Sequence, residues 1–205
     1  MEKDRPFRIL ATGDMHADIS AIKKLAEKAE KENVDLVVIC GDLTHKNQDH
    51  QQLISPFLKK NKRVLFVPGN HDSFAAADFW EQMYDVKNIH GKGVIYYHIG
   101  FFGCGGANIG LEQLSEDDFI RYLREGHDKV KDLSKKIMVT HIHPKDSIPE
   151  KMTGFPGSEG IRKAITEFKP DIHLCCHVHE AEGIEETIGN TRMISVGKEG
   201  TIIDL

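Results

Sequence analysis

Short apolar runs alternate with amphipathic segments along most of the chain. Residues 8–12, 36–40 and 63–67 form strand-sized apolar runs, and the run at 36–40 is continuous, as in a strand covered on both faces. Between the first two runs, Asp18 precedes apolar positions that share one helical face: Ile19, Ile22, Leu25, Ala26 and Ala29. This alternation of strands and helices predicts an α/β fold.

Two further helices have recognisable starts. A helix is predicted over 51–60, where Pro56 either kinks the helix or occupies its first turn with Ser55 as the cap. Residues 115–118 resemble a capping box that opens a helix over 119–133. The remaining predicted helices cover 73–84 and 158–168, and the remaining predicted strands cover 94–97, 100–104, 136–140 and 171–176.

The end of the chain reads as short strands. Gly189 and Asn190 predict a hairpin turn within 183–205, and 197–200 predicts another. The segment 142–158, rich in proline and glycine, is predicted to be a loop. Because no internal repeat, linker-like stretch or low-complexity segment interrupts the pattern, we predict a single domain over 1–205 with no capping domain.

Composition and charge exclude several classes of protein. Of the 205 residues, 40% are hydrophobic and 29% charged, as in a globular protein with a substantial core. The net charge of −5 argues against a protein that coats nucleic acid or an anionic membrane. No apolar run approaches the roughly 20 residues of a spanning helix, and residues 1–6 lack the apolar region of a secretory signal. We therefore predict a cytoplasmic protein without a membrane partner or a nucleic-acid-binding surface.

The four cysteines, Cys40, Cys104, Cys175 and Cys176, lie in or beside apolar runs. Adjacent residues of a strand point to opposite faces, so Cys175 and Cys176 are not expected to pair. The four side chains are predicted to be buried, reduced thiols.

Metal-binding side chains follow five of the predicted strands. The residues at these strand ends are Asp14 and His16, then Asp42, then Asn70 and His71, then His141, and finally His177 and His179. Ligands of open α/β sheets bind where the carboxyl ends of strands form a crevice. In an extended segment, residues two apart project to one side, so each Asp-x-His or His-x-His pair is expected to point together. Glycines before Asp14, Asp42 and Asn70 leave room for backbones to approach a shared centre.

The donor set has a definite chemistry. Seven side chains of this set offer carboxylate, amide or imidazole donors: Asp14, His16, Asp42, Asn70, His141, His177 and His179. One tetrahedral zinc takes fewer donors, and calcium or magnesium sites prefer oxygen alone. Mixed nitrogen and oxygen donors suit Mn, Fe, Co, Ni or Zn, and seven donors divide naturally over two ions, as in sites for displacement at phosphorus.

Asp-x-His, Gly-Asp, Gly-Asn-His-Asp, Thr-His and His-x-His, in this order over residues 14–179, resemble the five motif blocks of the calcineurin-like metallophosphoesterase superfamily. The resemblance implies a four-layer α/β sandwich of two mixed β-sheets flanked by helices, with the strand-rich end of the chain in the second sheet. It also implies two ligand sets that share Asp42. These sets are Asp14, His16, Asp42 and His179 for one metal, and Asp42, Asn70, His141 and His177 for the other.

Two further residues are compared with the family pattern, and one of them departs from it. His71 matches the family's histidine that binds no metal and is placed to donate to a phosphate oxygen or to protonate the leaving group. Cys176 stands where the family usually has glycine before His-x-His, so its side chain is expected to crowd the backbone or to add a thiol near the metals.

The resemblance and the donor set together predict a phosphodiesterase that requires two divalent transition-metal ions, with manganese preferred. The expected reaction is in-line attack at phosphorus by metal-activated hydroxide, with Asp42, Asn70 and His71 as the catalytic residues. The expected partner is a small phosphoester, with nucleotide-related esters among the candidates, and self-association is left open. A phosphomonoesterase acting on phosphoproteins or nucleotides is the nearest alternative. A non-catalytic protein-interaction scaffold and a redox role for Cys175 and Cys176 are more distant alternatives.

For each of three polar residues near the motifs, the sequence allows two alternative roles. His143 either lines the mouth of the site or is an exposed loop histidine. His45 is read as a surface residue in preference to a substrate contact. Asn108, which follows a glycine-rich turn at 103–106, is read as a turn asparagine in preference to a substrate contact.

Overall fold

Two β-sheets, each with helices on its outer face, form the framework of the protein. A computed structural model of the chain describes residues 5–46 and 52–205. The strands in this part of the chain are β1 (Arg8–Thr12), β2 (Leu36–Ile39), β3 (Arg63–Phe66), β4 (Lys87–Asn88), β5 (Gly93–Tyr96), β6 (Ile99–Cys104), β7 (Lys135–Thr140), β8 (Ile172–Cys175), β9 (Glu185–Ile188), β10 (Thr191–Ser195) and β11 (Thr201–Asp204). The helices are α1 (Ile19–Lys31), α2 (Ser55–Lys59), α3 (Phe74–Met83), α4 (Glu116–His127), α5 (Ile148–Thr153) and α6 (Glu159–Phe168), with a 3₁₀ turn at His179–Ala181.

Both sheets are mixed. The first has the strand order β11-β1-β2-β3-β4, in which β1 to β4 are parallel and β11 is antiparallel to β1. The second has the order β5-β6-β7-β8-β10-β9, with a parallel centre and antiparallel strands at both edges. The predicted fold class, two mixed sheets flanked by helices, is confirmed.

Three apolar clusters show how the layers pack. One cluster combines alternate residues of both sheets, such as Val38 of β2 and Val139 of β7, and fills the space between the sheets. The opposite residues of the first sheet, such as Val37, pack against α1, α2 and α3. The outer face of the second sheet packs against α4 and α6. Burial on both faces is the reason that the central strands read as continuous apolar runs.

Several local predictions are confirmed. The amide of Ala21 donates to the Asp18 carboxylate (3.0 Å), which caps α1, and the capping box at Ser115 opens α4. Antiparallel β9 and β10 flank the predicted hairpin turn at Gly189. All four cysteines are buried and free, and Cys175 and Cys176 belong to apolar clusters on opposite faces of the second sheet.

Two predicted helices are shorter than expected. Helix α2 spans only Ser55–Lys59; Pro56 does occupy its first turn, but Ile54 is the cap and no side chain caps the helix. Residue 51, where this helix was predicted to begin, lies outside the described residues. Helix α4 ends at His127, and residues 128–133 continue as turns that place Val130 against Gly100.

Other differences come from tertiary packing. The proline- and glycine-rich segment contains α5, which begins with Pro149 in its first turn and ends at Gly154 in the left-handed conformation. Strand β4 has two residues and forms only by pairing with β3. The turn at 197–200 is not a hairpin, because β10 and β11 lie in different sheets. The end of the chain therefore contributes to both sheets and not only to the second.

Among the described residues, no helix combines the length and the apolar character needed to cross a lipid bilayer. The single domain over 1–205 and the cytoplasmic location stay predictions from the sequence.

Candidate metal centre

The ends of five parallel strands bring all seven predicted ligand side chains to one place. Three of these strands, β1, β2 and β3, belong to the first sheet, and the other two, β7 and β8, belong to the second. The two sheets therefore contribute to opposite walls of one crevice. Most of the seven side chains are buried or half-buried, and His179 is the most exposed, with 54% of its side chain accessible.

One group of donors lies on the side of β1. The Nε2 atoms of His16 and His179 are 3.2 Å apart. The Nε2 atom of His16 is 3.6 Å from Oδ2 of Asp42, and that of His179 is 4.0 Å from Oδ1 of Asp14. Four donor atoms from four residues thus face a common space.

A second group lies on the side of β7. The Nε2 atom of His141 is 2.8 Å from Oδ1 of Asn70 and 3.1 Å from Nδ1 of His177. The same Nε2 atom is 3.6 Å from Oδ1 of Asp42. One carboxylate oxygen of Asp42 therefore faces each group.

The backbone that positions these side chains is not extended, contrary to the sequence prediction. Asp14, His16, Asp42 and His177 have φ angles of 54°, 42°, 54° and 77°, in the left-handed region, and His179 begins the 3₁₀ turn. Non-glycine residues adopt this conformation at a cost of roughly 1–3 kcal/mol, which the surrounding structure must offset. The amide of His16 donates to the carbonyl of Asp42 (2.9 Å), so the two loops hold each other.

Two glycines permit this close approach, as the sequence indicated. A Cβ atom on Gly69 would overlap Oδ1 of Asp42. A Cβ atom on Gly41, which has a φ of 105°, would lie 2.7 Å from Nδ1 of His141. Side chains at these positions would displace the donors themselves.

Burial shifts the protonation of the donors. It raises the pKa of Asp42 to about 8, and it also raises the pKa of Asp14. It lowers the pKa of His16 to about 4 and that of His177 to about 3, and it lowers the pKa of His141. Neutral imidazoles offer lone pairs, and buried carboxylates need a neighbouring positive charge to ionise. This electrostatic state suits a cation-binding site.

His141 is held by its other ring nitrogen. Its Nδ1 atom donates to the carbonyl of Cys40 (2.9 Å), which leaves the Nε2 lone pair directed into the site. The thiol of Cys176 lies 3.2 Å from the same Nδ1 atom and 2.9 Å from the same carbonyl. Cys176 therefore adds a thiol behind a candidate ligand. It fits because residue 13 is glycine, whose Cβ position would be 2.6 Å from the Cys176 sulfur.

Sequence reasoning missed the role of Asp72, the last residue of the Gly-Asn-His-Asp block. Its fully buried carboxylate accepts hydrogen bonds from the amides of Leu43 (3.2 Å), Thr44 (2.8 Å) and Gly69 (3.0 Å). It thus joins the loops that carry Asp42 and Asn70. Its place within a motif block was the signal that could have identified it.

An open pocket of about 420 Å³ lies in front of these donors. The residues that line it are His16, Asp42, His45, Asn70, His71, His177 and His179. His45 is exposed, as predicted, but it also lines the pocket, and its ring stacks on that of His71 with centroids 5.1 Å apart. The Nδ1 atom of His71 accepts a hydrogen bond from the amide of Lys46 (3.3 Å).

The other two residues with alternative interpretations do not line this pocket. His143 is neither at the mouth nor exposed: it is fully buried, and its Nε2 atom contacts the carbonyl of Phe155 at 3.1 Å. Asn108 acts as a loop asparagine, because its side-chain amide donates to the carbonyl of Pro156 (3.2 Å). The four thiols are buried, which raises their pKa and makes them poor nucleophiles, so the structure gives the redox alternative no support.

Comparison with known proteins gives a consistent result. Among curated proteins, the chain is 28% identical over 202 residues to the uncharacterised protein MJ1162 of Methanocaldococcus jannaschii, which covers 92% of this chain and 87% of the relative. Among solved structures, it resembles TT1561 of Thermus thermophilus, with a TM-score of 0.78, 19% identity, and coverage of 97% and 94% of the two chains.

A dimetal phosphatase from Danio rerio is also similar, with a TM-score of 0.65, 10% identity, and coverage of 98% of this chain and 93% of that chain. Identities this low establish a shared fold alone. The model of the calcineurin-like phosphoesterase family, however, matches residues 7–181. Since this match includes all five strand ends that form the crevice, the chain belongs to the calcineurin-like phosphoesterase family.

Proposed function

We propose that this chain is a phosphodiesterase that hydrolyses small phosphodiesters at a centre of two divalent metal ions. Membership of the family supports hydrolysis of a phosphoester. The proposal of a two-ion centre rests on the position of Asp42. Its Oδ2 atom is 3.6 Å from His16 and its Oδ1 atom is 3.6 Å from His141, so one carboxylate serves two separate groups of donors.

The ligands of the two ions follow from these groups. One ion would be held by Asp14, His16, Asp42 and His179, and the other by Asp42, Asn70, His141 and His177. Two observations support the fit. In each group two imidazole nitrogens lie only 3.1–3.2 Å apart, and Oδ1 of Asp14 is buried with no hydrogen-bond partner among the described residues. A cation in each group would be coordinated by the two neighbouring nitrogens, and the cation of the first group would also bind Oδ1 of Asp14.

The donors favour a transition metal. Imidazole together with carboxylate and amide oxygen suits Mn, Fe, Co, Ni or Zn, and we propose manganese as the preferred ion. When bound, the two ions supply the Lewis acidity that activates water and neutralises charge on the phosphoryl oxygens.

His71 is the proposed donor to the leaving group. Its Nδ1 atom accepts a hydrogen bond from Lys46, which places the proton of the neutral ring on Nε2. Burial and the neighbouring His45 lower the pKa of His71, so the ring is neutral near pH 7. The Nε2–H group is therefore available to donate to an oxygen of the phosphoester. The amide nitrogen of Asn70, whose oxygen faces His141, is a second donor for that phosphate.

The preference for diesters rests on charge and shape. The described residues that line the pocket include no arginine or lysine, which would neutralise the second negative charge of a monoester. The pocket is also open, which leaves space for two ester groups. Nucleotide-related esters belong to this class of small substrates.

The test is a comparison of two chromogenic substrates. Protein stripped with a chelator and reloaded with Mn²⁺ is assayed on bis-p-nitrophenyl phosphate and p-nitrophenyl phosphate. We expect kcat/KM to be at least about tenfold higher for the diester, and no turnover before reloading. A higher kcat/KM for the monoester would contradict the phosphodiesterase hypothesis and support the phosphomonoesterase alternative. Metal-loaded protein inert on both would favour the non-catalytic scaffold.

A variant pair tests the role of His71. His71→Asn is expected to lower kcat by about 10²–10⁴-fold, with a larger loss for esters of poorly acidic alcohols than for p-nitrophenyl esters. Metal content measured by elemental analysis should not change. The matched control is His98→Asn, because His98 is an exposed histidine in the turn between β5 and β6. Equal losses for good and poor leaving groups would exclude His71 as the donor.

A further inference from the structure

Phe155 is an exposed aromatic side chain that lies beside a candidate metal ligand. Its side chain is 48% exposed, and its ring centroid is 6.4 Å from that of His177, with the planes nearly perpendicular. An exposed phenyl ring leaves a large apolar area in water, and burial of that area is favourable. What distinguishes Phe155 from other exposed apolar residues is its position beside His177, where a molecule bound in front of the donors would cover the ring.

The backbone around Phe155 is held in place from three directions. Its carbonyl contacts Nε2 of the fully buried His143 (3.1 Å), and its amide donates to Oγ1 of Thr153 (3.3 Å). The next carbonyl, that of Pro156, accepts a hydrogen bond from Asn108 (3.2 Å). The backbone that carries the exposed ring is therefore fixed by the fold. The contact with the carbonyl of Phe155 also explains why His143 is buried.

A second loop carries two exposed apolar residues next to Asn70, which lines the pocket. Ile109 and Leu111 are 45% and 55% exposed. The amide of Leu111 donates to the carbonyl of Asn70 (3.1 Å), and Asn108 joins this loop to the segment of Phe155. We call Ile109, Leu111 and Phe155 the apolar rim. Two of its members adjoin residues that line the pocket, Leu111 through its backbone contact with Asn70 and Phe155 through its ring contact with His177.

We infer that the apolar rim binds an ester group of the substrate and that the enzyme selects phosphodiesters with an aromatic substituent. This inference rests on the proposed function. The residues lining the pocket are polar, so they suit the phosphate group, and its organic substituents must leave the pocket across the edge. A planar substituent that crosses at the rim can stack on Phe155 and cover Ile109 and Leu111. Aromatic contacts of this kind strengthen binding beyond the effect of buried area.

The test measures binding without turnover. Calorimetry on the metal-loaded protein compares phenylphosphonate with methylphosphonate, each as its monomethyl ester, so that both carry the single negative charge of a phosphodiester and differ only in the aromatic ring. We expect phenylphosphonate to bind about tenfold more tightly to the wild-type protein. Phe155→Ala should remove this difference and leave the affinity for methylphosphonate unchanged. Phe155→Tyr should retain it, because the ring is kept.

A matched control and a kinetic readout complete the experiment. Phe79→Ala removes a phenylalanine of similar exposure (56%) from α3 and should leave both affinities unchanged. In turnover of bis-p-nitrophenyl phosphate, Phe155→Ala should raise KM about five- to tenfold with little change in kcat.

Four results would overturn the inference. Equal affinity of the wild-type protein for the two phosphonates, or equal weakening of both by Phe155→Ala, would show that the rim does not select the ring. Self-association that Phe155→Ala abolishes, with the discrimination between phosphonates intact, would assign the rim to contact between copies of this chain. Failure of the loaded protein to hydrolyse either chromogenic ester would overturn the proposed function itself, and failure to bind either phosphonate while it hydrolyses the diester would overturn only the inference about the rim.

Discussion

The buried carboxylate of Asp72 accepts hydrogen bonds from both the amide and the hydroxyl group of Thr44, each at 2.8 Å. The same carboxylate accepts from the amide of Gly69, and the single hydrogen of the Thr44 hydroxyl group is shared between the carboxylate and the carbonyl of His71 (2.6 Å). The loops after β2 and β3 are thus joined by one side chain that does not line the pocket. The position of Asp42 relative to Asn70 depends on this connection.

Replacement of Asp72 is therefore expected to affect both stability and the site. Asp72→Ala leaves three buried amides without an acceptor, and we expect the free energy of unfolding to fall by about 3 kcal/mol or more. Urea unfolding measures this loss, and elemental analysis should show weaker metal retention. Asp132→Ala, at an exposed aspartate, is the control and should change stability by less than about 0.5 kcal/mol. A stable Asp72→Ala protein with full metal content would contradict this account.

Asp42 is expected to destabilise the metal-free protein. Burial raises its pKa in the folded state to about 8, so between about pH 4 and pH 8 the folded state binds more protons than the unfolded state. The contribution of Asp42 to stability therefore falls as the pH rises through this range. At pH 8, metal-free Asp42→Asn should be more stable than the metal-free wild type, by about 1–3 kcal/mol.

Metal addition should reverse this order. Saturating Mn²⁺ is expected to stabilise the wild type by about 2.7 kcal/mol at a hundredfold excess over Kd, and to leave Asp42→Asn almost unchanged. Thermal unfolding with chelator and with Mn²⁺ provides both comparisons. Equal stabilisation of the two proteins by Mn²⁺ would show that Asp42 is not a shared ligand.

His90 provides a pH prediction away from the metal centre. Its ring lies between those of Phe74 and Tyr122, with centroids 4.3 Å from each, and its Nδ1 atom accepts a hydrogen bond from the amide of Gly105 (3.0 Å). Burial lowers the pKa of His90 to about 4. The unfolded state therefore binds more protons between about pH 6.5 and pH 4, so this contribution is complete above 6.5 and is lost as the pH falls.

His90→Gln keeps an acceptor for Gly105 and removes the titration. The free energy of unfolding of the wild type should fall more steeply with decreasing pH than that of the variant, by up to about 1.4 kcal/mol per pH unit. Chemical unfolding at several pH values below 6.5 measures the difference in slope. Parallel curves for the two proteins would mean that His90 stays protonated in the folded state.

Gly13 and Cys176 are expected to be energetically coupled. A Cβ atom at position 13 would lie 2.6 Å from the Cys176 sulfur and 2.9 Å from its Cβ atom, and Cys176 is fully buried. Gly13→Ala should therefore destabilise the wild type by about 1–3 kcal/mol and destabilise Cys176→Gly much less. A double-mutant cycle on unfolding free energies should give a coupling of at least about 1 kcal/mol. Additive effects would show that the site relaxes around both residues.

Much of the fold was readable from local patterns. Strands such as β2 read as continuous apolar runs because both of their faces are buried, and the helix after Asp18 shows both its cap and its apolar stripe. The clustering of the candidate ligands was readable as well, because side chains suited to metal binding stand directly after five such runs. Parallel strands carry those ends to one edge whatever the details of the loops.

The sequence alone determined the family, the alternation of strands and helices, and the set of side chains at the strand ends. Tertiary structure decided how those side chains meet. The left-handed backbone at Asp14 and His177, the link through Asp72, the burial of His143 and the exposed ring of Phe155 all depend on contacts between distant segments. Local residue patterns report the periodicity of a segment and its burial, but a loop conformation is selected by the partners that satisfy its backbone, and these partners lie far away along the chain.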